Sequence, residues 1–272
     1  MDKEQQHVIP RGYLKSWACP NPPAGRSGMI WVVRKDNPKE RALKSPKKYF
    51  RETDRYTLDT GGARDLAVEK ALSTCEAWFA QALSNIAGRK LLTGDDRVKL
   101  AFFASAMMLR THRIPTAVGR MLRTIQMQAR KQETKANIDH SFSDGINELL
   151  PSIVGKTLAD GLPEMAFVLF RMNVSIFVTD DDAGLVTGDE PCSVIVPGAW
   201  NAYPTHPDVE IILPLSPQCA VLYSWKIPRT SYATLDRKTV DRLNSRTVGQ
   251  CTHEFVSWKG TVRPEWFLPD AA

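Results

Sequence analysis

The chain has 272 residues, of which 43% are hydrophobic, so it is long and apolar enough to build a substantial core, and disorder is excluded as its default state. It carries 36 Lys and Arg against 30 Asp and Glu, and the net charge of +6 weakly favours anionic partners. Five irregularly spaced cysteines with no C-x-x-C pair argue against a zinc site and a disulfide framework, and they favour a reducing, cytoplasmic setting.

The N-terminal segment "HVIPRGYLKSWA" predicts a short ordered motif. Pro10 restricts the residue before it to an extended conformation, and residues 12–17 have the composition of a helical turn. Residues 29–36 then predict a strand, because they are rich in β-branched and aromatic side chains. The basic, proline-containing stretch 37–62 predicts irregular structure.

Helical periodicity dominates the middle of the chain. Gly88 is the expected left-handed cap of the first long helix, and Thr93 and Asp96 have the spacing of a capping box at the start of the second. The predicted helices are 64–87, Thr93 to the neighbourhood of Arg110, 115–135, and two within 143–171 that separate near residues 161–163.

From Asn173 onward the pattern changes to that of strands. The segments "VSIFVTD" and "LVTGDEPCSVIV" flank the turn "DDAG", and "VEIILPL" and "CAVLYSW" flank "SPQ", so two antiparallel hairpins are predicted. A closing helix is predicted at residues 237–254, and Asn244 on its inward stripe is expected to anchor a loop through its amide.

This order of elements predicts an α+β fold: an N-terminal motif and strand, a central helical bundle, then C-terminal antiparallel hairpins and a closing helix. No long flexible linker separates the parts, so residues 1–272 are expected to form a single compact domain. Its helical part would span about 64–171 and its strand-rich part about 173–268.

Two residues of the helical part are candidates for a polar site. Glu76 lies at the edge of the apolar face of helix 64–87, where a partly desolvated carboxylate needs a positive or hydrogen-bonding partner. Arg110 is a candidate partner, because a guanidinium can hold a carboxylate and also present donors to an anion. The structural alternatives are an ion pair for Glu76 and a surface position for Arg110.

Three further candidates lie in the N-terminal motif and in the strand-rich part of the chain. His7 and Arg11 flank Pro10 and can act as an acid or base beside an anion clamp, the alternative being a structural histidine. Asp189 precedes Pro191 at the expected mouth between strands. It is either a turn-stabilising residue or a carboxylate for a substrate or metal.

A stripe of cations runs along the predicted helix 115–135 and its start. On an ideal helix these residues fall within an arc of roughly 140°, the footprint expected for contact with a phosphate backbone. A solvated face is the plainer explanation, and the absence of interleaved aromatic residues argues against base stacking. The stripe comprises Arg113, Arg120, Arg123, Arg130, Lys131 and Lys135.

Five segments together resemble the domain-of-unknown-function family 4238, a family of bacterial proteins, over nearly the whole chain. The segments are "HVIPRGYLKSWA", "LSTCEAWFAQAL", "MMLRT", "GLVTGDEPCSV" and "ILPLSPQCAVLY". The resemblance selects the polar positions His7, Arg11, Glu76, Arg110 and Asp189. This chain departs from the family's pattern at Gly188 and Glu190, where the pattern has Ser and Asn, and at the delayed Pro115.

The leading hypothesis is an intracellular bacterial enzyme that acts on a phosphate-containing substrate or a nucleic acid. His7 would be the acid or base, while Arg11 and Arg110 would stabilise anionic charge. Glu76 and Asp189 would orient these groups or hold a divalent cation. The spacing is diagnostic of no particular metal, and no cofactor motif is present, so metal and cofactor stay undetermined.

The alternative is a non-catalytic module with a regulatory or defence-associated role. In that case the polar cluster would fix the N-terminal segment, and the cationic stripe would contact RNA, DNA or an acidic protein partner. In neither case is a membrane partner expected, because the longest apolar run, residues 101–109, is too short to span a bilayer.

Overall fold

A computed structural model of the chain describes residues 5–60, 63–195, 204–227 and 232–268. The strands are β1 (Gln5–His7), β2 (Ile30–Arg34), β3 (Arg41–Lys44), β4 (Arg51–Thr53), β5 (Leu58–Thr60), β6 (Ala63–Asp65), β7 (Asn173–Val178), β8 (Thr187–Gly188), β9 (Ser193–Ile195), β10 (Glu210–Ser216), β11 (Cys219–Ser224), β12 (Tyr232–Thr234) and β13 (Glu254–Ser257). The helices are α1 (Arg11–Leu14), α2 (Ala67–Ala87), α3 (Gly94–Leu109), α4 (Arg113–Ala136), α5 (Ser141–Leu149), α6 (Ile153–Arg171) and α7 (Arg237–Gln250). Long helices and antiparallel strands are segregated along the chain, which confirms the α+β class.

The start of α3 has the capping box that its sequence predicts. The Thr93 hydroxyl accepts a hydrogen bond from the Asp96 amide at 3.1 Å, and the Asp96 carboxylate accepts one from the Thr93 amide at 3.0 Å. Two amides that helical bonding leaves unpaired are thereby satisfied, so the helix begins at a defined residue.

Two predicted helix ends in the middle of the chain are wrong. Pro163 lies inside α6 and does not break it, because Ser105 of α3 donates to the Leu162 carbonyl at 3.0 Å and packing against α3 holds the segment helical. The break between α5 and α6 falls instead on a short 3-10 turn that contains Pro151. Gly88 has φ −77°, and the left-handed residue at the end of α2 is Arg89, with φ 50°.

The main sheet has five strands in the order β12-β7-β11-β10-β9. Its β10–β11 pair is the predicted second hairpin, and β7 pairs antiparallel with β11. The predicted first hairpin is wrong, because β8 belongs to a second sheet of order β3-β2-β13-β8. The chain turns away from β7 at Gly184, which has φ 67°. The side chain of Asn244 holds this loop, since it accepts a hydrogen bond from the Val186 amide and donates one to the Gly184 carbonyl, at 2.9 Å each. This confirms the loop-anchoring role predicted for Asn244.

The stretch 37–62 is not irregular within its described part. It contributes β3 to the second sheet, β4 as the partner of β1, and β5 as the partner of β6. These short polar strands lack a regular alternation of apolar side chains, so their partners define them, and the sequence pattern does not. The closing helix also ends earlier than predicted, at Gln250, because β13 is needed between β2 and β8.

The N-terminal motif is tied to the C-terminal strands. The Tyr13 hydroxyl bonds the Thr187 hydroxyl and the Pro214 carbonyl at 2.7 Å each, and the Trp17 indole donates to the Leu185 carbonyl at 2.8 Å. Both aromatic side chains are fully buried in the largest core cluster. The opening segment is therefore part of the core, and this fixes the position of His7 and Arg11 beside the helices.

Candidate functional site

Arg110 is the centre of a buried polar cluster at the end of α3. Its guanidinium donates to the Glu76 carboxylate on α2 at 2.9 Å and to the His7 backbone carbonyl. Its Nε donates to the Tyr56 hydroxyl at 3.3 Å, and that hydroxyl itself donates to the His7 carbonyl at 3.0 Å. The Arg110 side chain is 3% exposed and the Glu76 side chain 33% exposed, so the ion pair has one buried and one partly solvated end.

This geometry assigns Arg110 and Glu76 to holding β1 against the helices. Nη1 of Arg110 donates to a carboxylate and Nη2 donates to a backbone carbonyl, so few of the N–H donors of this guanidinium remain for a ligand. The Tyr56 ring also lies 5.5 Å from the guanidinium carbon, in cation–π contact. Tyr56 was not predicted from the sequence, since it falls in the stretch expected to be irregular.

The side chain of His7 lies next to that of Arg51. The two residues are directly opposed in the β1–β4 pair, so their side chains share one face of this two-stranded ribbon. Arg51 donates to the Lys47 carbonyl at 2.9 Å through Nη1. The buried Nδ1 of His7 and the buried Nε of Arg51 have no hydrogen-bond partner in the described part of the chain.

The electrostatic surroundings of His7 are strongly positive. Burial, and after it the charges of Arg51, Arg110 and Arg11, lower the pKa of His7 from 6.5 to about 4, although hydrogen bonding to the Tyr49 backbone acts in the opposite direction. The imidazole is therefore neutral at pH 7. Arg11 is exposed at the start of α1, so His7, Arg11 and Arg51 form an electropositive set at the surface, which we call the N-terminal cluster.

Asp189 occupies a different position from these residues. Its two carboxylate oxygens accept hydrogen bonds from the backbone amides of Thr252, His253 and Glu254, at 2.9, 2.7 and 3.1 Å. It thus holds the turn between α7 and β13. Within the described ranges no contact joins it to His7, and the turn-stabilising alternative accounts for its position.

The neighbouring Glu190 fixes the junction between α3 and α4. Its carboxylate accepts hydrogen bonds from the His112 and Arg113 amides at 2.9 Å each, where the helix dipole favours a negative charge. Burial raises the pKa of this carboxyl. On the other side of the junction, Arg55 donates to the Arg110 and Thr111 carbonyls at 3.1 and 3.0 Å, which caps the end of α3.

The cations of α4 form an exposed surface, which we call the basic face. All six of the predicted cations are exposed, and the one acidic residue of the helix, Glu133, is turned away from them. Glu133 is buried and bonds the Ser143 amide at 3.1 Å and the His140 ring at 3.2 Å. Its charge therefore stabilises the start of α5 and does not offset the basic face.

An apolar groove lies beside Glu76. Its volume is about 320 Å³, and its lining includes Gly12, Tyr13, Phe79 and Phe103. The Phe79 and Phe103 rings are stacked at 4.0 Å between centroids. Gly12 of this lining follows Arg11 in the chain, so the groove lies beside the N-terminal cluster.

The described part of the chain offers neither a metal centre nor a membrane-spanning helix. No group of three or more His, Cys, Asp or Glu side chains there is placed to hold a metal ion. Among its helices, none has the length and apolar character needed to cross a membrane.

The profile of one protein family, described as "Protein of unknown function (DUF4238)", matches residues 5–259. The chain therefore belongs to this family, and the match extends from β1 to just beyond β13. No curated protein and no solved structure matches the chain.

Proposed function

We propose that this protein binds a phosphate-containing ligand at the N-terminal cluster. The observation that carries the proposal is the pair of buried, unpartnered donor or acceptor atoms, Nδ1 of His7 and Nε of Arg51. Leaving a buried polar atom without a partner costs about 1–3 kcal/mol, so such atoms are rare unless a ligand or water completes them. An anion that reaches this position accepts a hydrogen bond from Nε of Arg51, and from Nδ1 of His7 when that nitrogen carries a proton.

The electrostatics favour the same ligand class. The pKa of His7 lies at about 4 because burial and three arginine charges disfavour a further positive charge. A bound phosphate offsets those charges, so it raises the pKa of His7 and allows the imidazolium to donate. Anion binding and His7 protonation are thereby coupled.

In the enzyme that we propose, the reaction is hydrolysis of a phosphate ester. The imidazolium of His7, formed when the phosphate binds, donates its proton to the departing ester oxygen as the oxygen of the attacking water forms its bond to phosphorus and releases a proton to solvent. Arg11 and Arg51 stabilise the negative charge on the phosphoryl oxygens. Arg110 and Glu76 act as positioning residues, since they hold the His7 strand and not the ligand.

Sulfate and inorganic phosphate are the probes for the binding step. We expect His7→Asn, Arg11→Gln and Arg51→Gln each to weaken binding by about tenfold, because a hydrogen bond to a charged group contributes about 1.5–3 kcal/mol. The matched control is Arg242→Gln, an exposed arginine on α7. Equal affinities for the wild type and all three cluster variants, measured by calorimetry, would contradict the proposal.

Turnover is tested separately on p-nitrophenyl phosphate and on RNA and DNA oligonucleotides. His7→Ala should abolish hydrolysis while leaving Tm within a few degrees, because a contact made to the reacting group need not support the fold. Anion binding without turnover of any of these substrates would reject the hydrolase and retain the binding function.

A second candidate function is contact with a nucleic acid through the basic face of α4. It is favoured by the position of Glu133, whose burial keeps the one carboxylate of α4 away from the exposed cations, although Arg130 pairs with Asp144 of α5 at 3.6 Å. Binding through such a face should weaken steeply as salt rises, since counterions are released from the phosphates. Reversing the charges of Arg120, Arg123 and Arg130 together should abolish binding to RNA and DNA, and unchanged binding by a folded triple variant would exclude this face.

We also propose a cytoplasmic location. All five cysteines are buried free thiols, and a reducing compartment keeps thiols in that state. Fractionation of cells that express a tagged protein tests this location, and we expect the tag in the cytoplasmic fraction.

A further inference from the structure

A cavity of about 360 Å³ lies between the C-terminal end of α2 and the main sheet, at the end of β7. We call it the α2–β7 cavity. It is closed on one side by the turn between β10 and β11, which carries the "PLSPQ" segment, and on another by the edge strand β12. Its lining includes Leu83, Ile86, Ala87, Arg89, Val178, Asp180, Gln218, Cys219 and Thr234.

One wall of the cavity is apolar. Leu83, Ile86 and Ala87 are three and four positions apart, so they lie on one face of α2, and Val178 of β7 also lines the cavity. A volume of this size is at the lower end of the range for small-molecule sites, about 300–1,000 Å³. The wall suits an aliphatic group of modest size.

The rim carries two opposite charges. Arg89 follows the end of α2 and Asp180 follows the end of β7, and both side chains are exposed. No ion pair or side-chain hydrogen bond engages either group within the described ranges. A cation and an anion at one apolar cavity, not paired with each other, match a ligand that carries both charges.

The backbone at Arg89 supports a role for this side chain. Arg89 has φ 50°, in the left-handed region where glycine is favoured, whereas the preceding Gly88 has φ −77°. An arginine therefore occupies the one position at this helix end where glycine would be the less strained choice.

The thiol of Cys219 does not make the cavity a thiol active site. Burial raises the pKa of Cys219 to about 12, so the group stays protonated near neutral pH and is a poor nucleophile. The polar atoms of Thr179 and Ser216 are already used, since their hydroxyls accept from the Asp181 and Gln218 amides. The cavity is thus equipped for binding.

We propose that the α2–β7 cavity binds a small zwitterion with an aliphatic side chain, an amino acid or a dipeptide, with its carboxylate on Arg89 and its ammonium group on Asp180. The aliphatic side chain contacts Leu83 and Val178. This site is independent of the N-terminal cluster, because none of His7, Arg11 and Arg51 lines it.

The test uses L-leucine and L-alanyl-L-leucine as probes, with binding followed by calorimetry and by amide chemical shifts. Two analogues of leucine remove one charge each: 4-methylpentanoate lacks the amine, and 3-methylbutylamine lacks the carboxylate. We expect at least one zwitterion to bind, and each single-charge analogue to bind about tenfold more weakly or worse, since a charged hydrogen bond is lost. The two zwitterions distinguish a free amino acid from a peptide.

Variants locate the site. Arg89→Gln and Asp180→Asn should each weaken the zwitterion about tenfold, Thr234→Trp should block the cavity, and Arg242→Gln should have no effect. All of these positions are exposed, so the fold should be retained, and Tm measurements verify it. Binding of neither zwitterion to the wild type, equal binding of the single-charge analogues, or unchanged binding by all three cavity variants would overturn the proposal.

Discussion

Arg110 at the end of α3 donates a hydrogen bond to the backbone carbonyl of His7 in β1, across 103 positions of the chain. The contact is to the main chain of His7, so it places the strand without using the imidazole. The polar cluster therefore has a buried support, formed by Arg110, Glu76 and Tyr56, and an outer part at which a ligand can be bound.

Replacing Arg110 should destabilise the protein strongly. Arg110→Met leaves the Glu76 carboxylate without its Arg110 donor, whereas the His7 carbonyl keeps its bond from the Tyr56 hydroxyl. Because the remaining carboxylate is partly solvated, we expect a loss of about 1.5–3 kcal/mol, the contribution of a hydrogen bond to a charged group. Glu76→Gln should cost less, because the Glu76 side chain is 33% exposed and water replaces part of the interaction. Urea unfolding of both variants and of the double variant measures the coupling. A loss below about 1 kcal/mol for Arg110→Met would show that the pair does not support the fold.

Acidification should destabilise the wild type through His7. The pKa of His7 in the folded protein is about 4, below its ordinary 6.5, so between these values the unfolded chain binds the proton and the folded one does not. This contribution to stability is complete above pH 6.5 and is lost as the pH falls toward 4. The His7→Asn variant should not show this loss of stability between pH 6.5 and pH 4, and added sulfate should reduce the loss in the wild type. Urea midpoints at several pH values make the comparison, and identical profiles for both proteins would contradict the assignment.

Asp189 should prove to be a structural residue. Asp189→Asn replaces one of two acceptor oxygens with a donor that faces backbone amides, so we expect a loss of about 1.5–3 kcal/mol. Asp182→Asn is the control, because Asp182 is 84% exposed and pairs with Lys259 at the surface. Sulfate affinity at the N-terminal cluster should be unchanged in a folded Asp189→Asn protein. A selective loss of sulfate binding without loss of stability would place Asp189 in the site after all.

Gly188 is required by close packing. A Cβ atom at this position would lie 2.6 Å from the Glu254 carbonyl oxygen and closer still to the Cys251 sulfur. Gly188→Ala should therefore destabilise the protein by about 1–3 kcal/mol, and Cys251→Ala should restore only part of it, because the carbonyl remains. Gly249→Ala, which meets no neighbouring atom within 4 Å, is the control. Thermal unfolding of both variants measures the effect of the added Cβ atom. Equal Tm values for the two glycine variants would contradict the proposed clash at Gly188.

The contribution of the α3 capping box to the free energy of unfolding should be measurable with a single substitution. Thr93→Ala removes the side-chain acceptor for the Asp96 amide, and loss of such a cap typically costs about 0.5–2 kcal/mol. Thr74→Ala is a matched control, since the Thr74 hydroxyl bonds only the Lys70 carbonyl of its own exposed helix face. A difference in unfolding free energy indistinguishable from that of the control would show that the cap adds nothing to stability.

Local patterns in the sequence determined much of the secondary structure. The capping box of Thr93, the β10–β11 hairpin about its turn, the helical periodicity of the middle third and the inward amide of Asn244 depend on residues close together in the chain. The physical preferences of caps, turns and periodic apolar faces act over a few residues, so they can be read directly. The same local logic singled out Glu76 as a partly desolvated carboxylate and Arg110 as its candidate partner.

Only the tertiary structure decided which distant groups meet. Arg51 lies opposite His7 because β1 pairs with β4. Strand β4 is only three residues long, and its sequence has no pattern that predicts which strand it pairs with. Pro163 stays helical because α3 packs against it, and β8 leaves β7 because Asn244 holds the intervening loop. These outcomes depend on strand pairing and burial between segments far apart in the chain. The free energy of these tertiary contacts exceeds that of the local conformational preferences, and a sequence pattern shows only the local preferences.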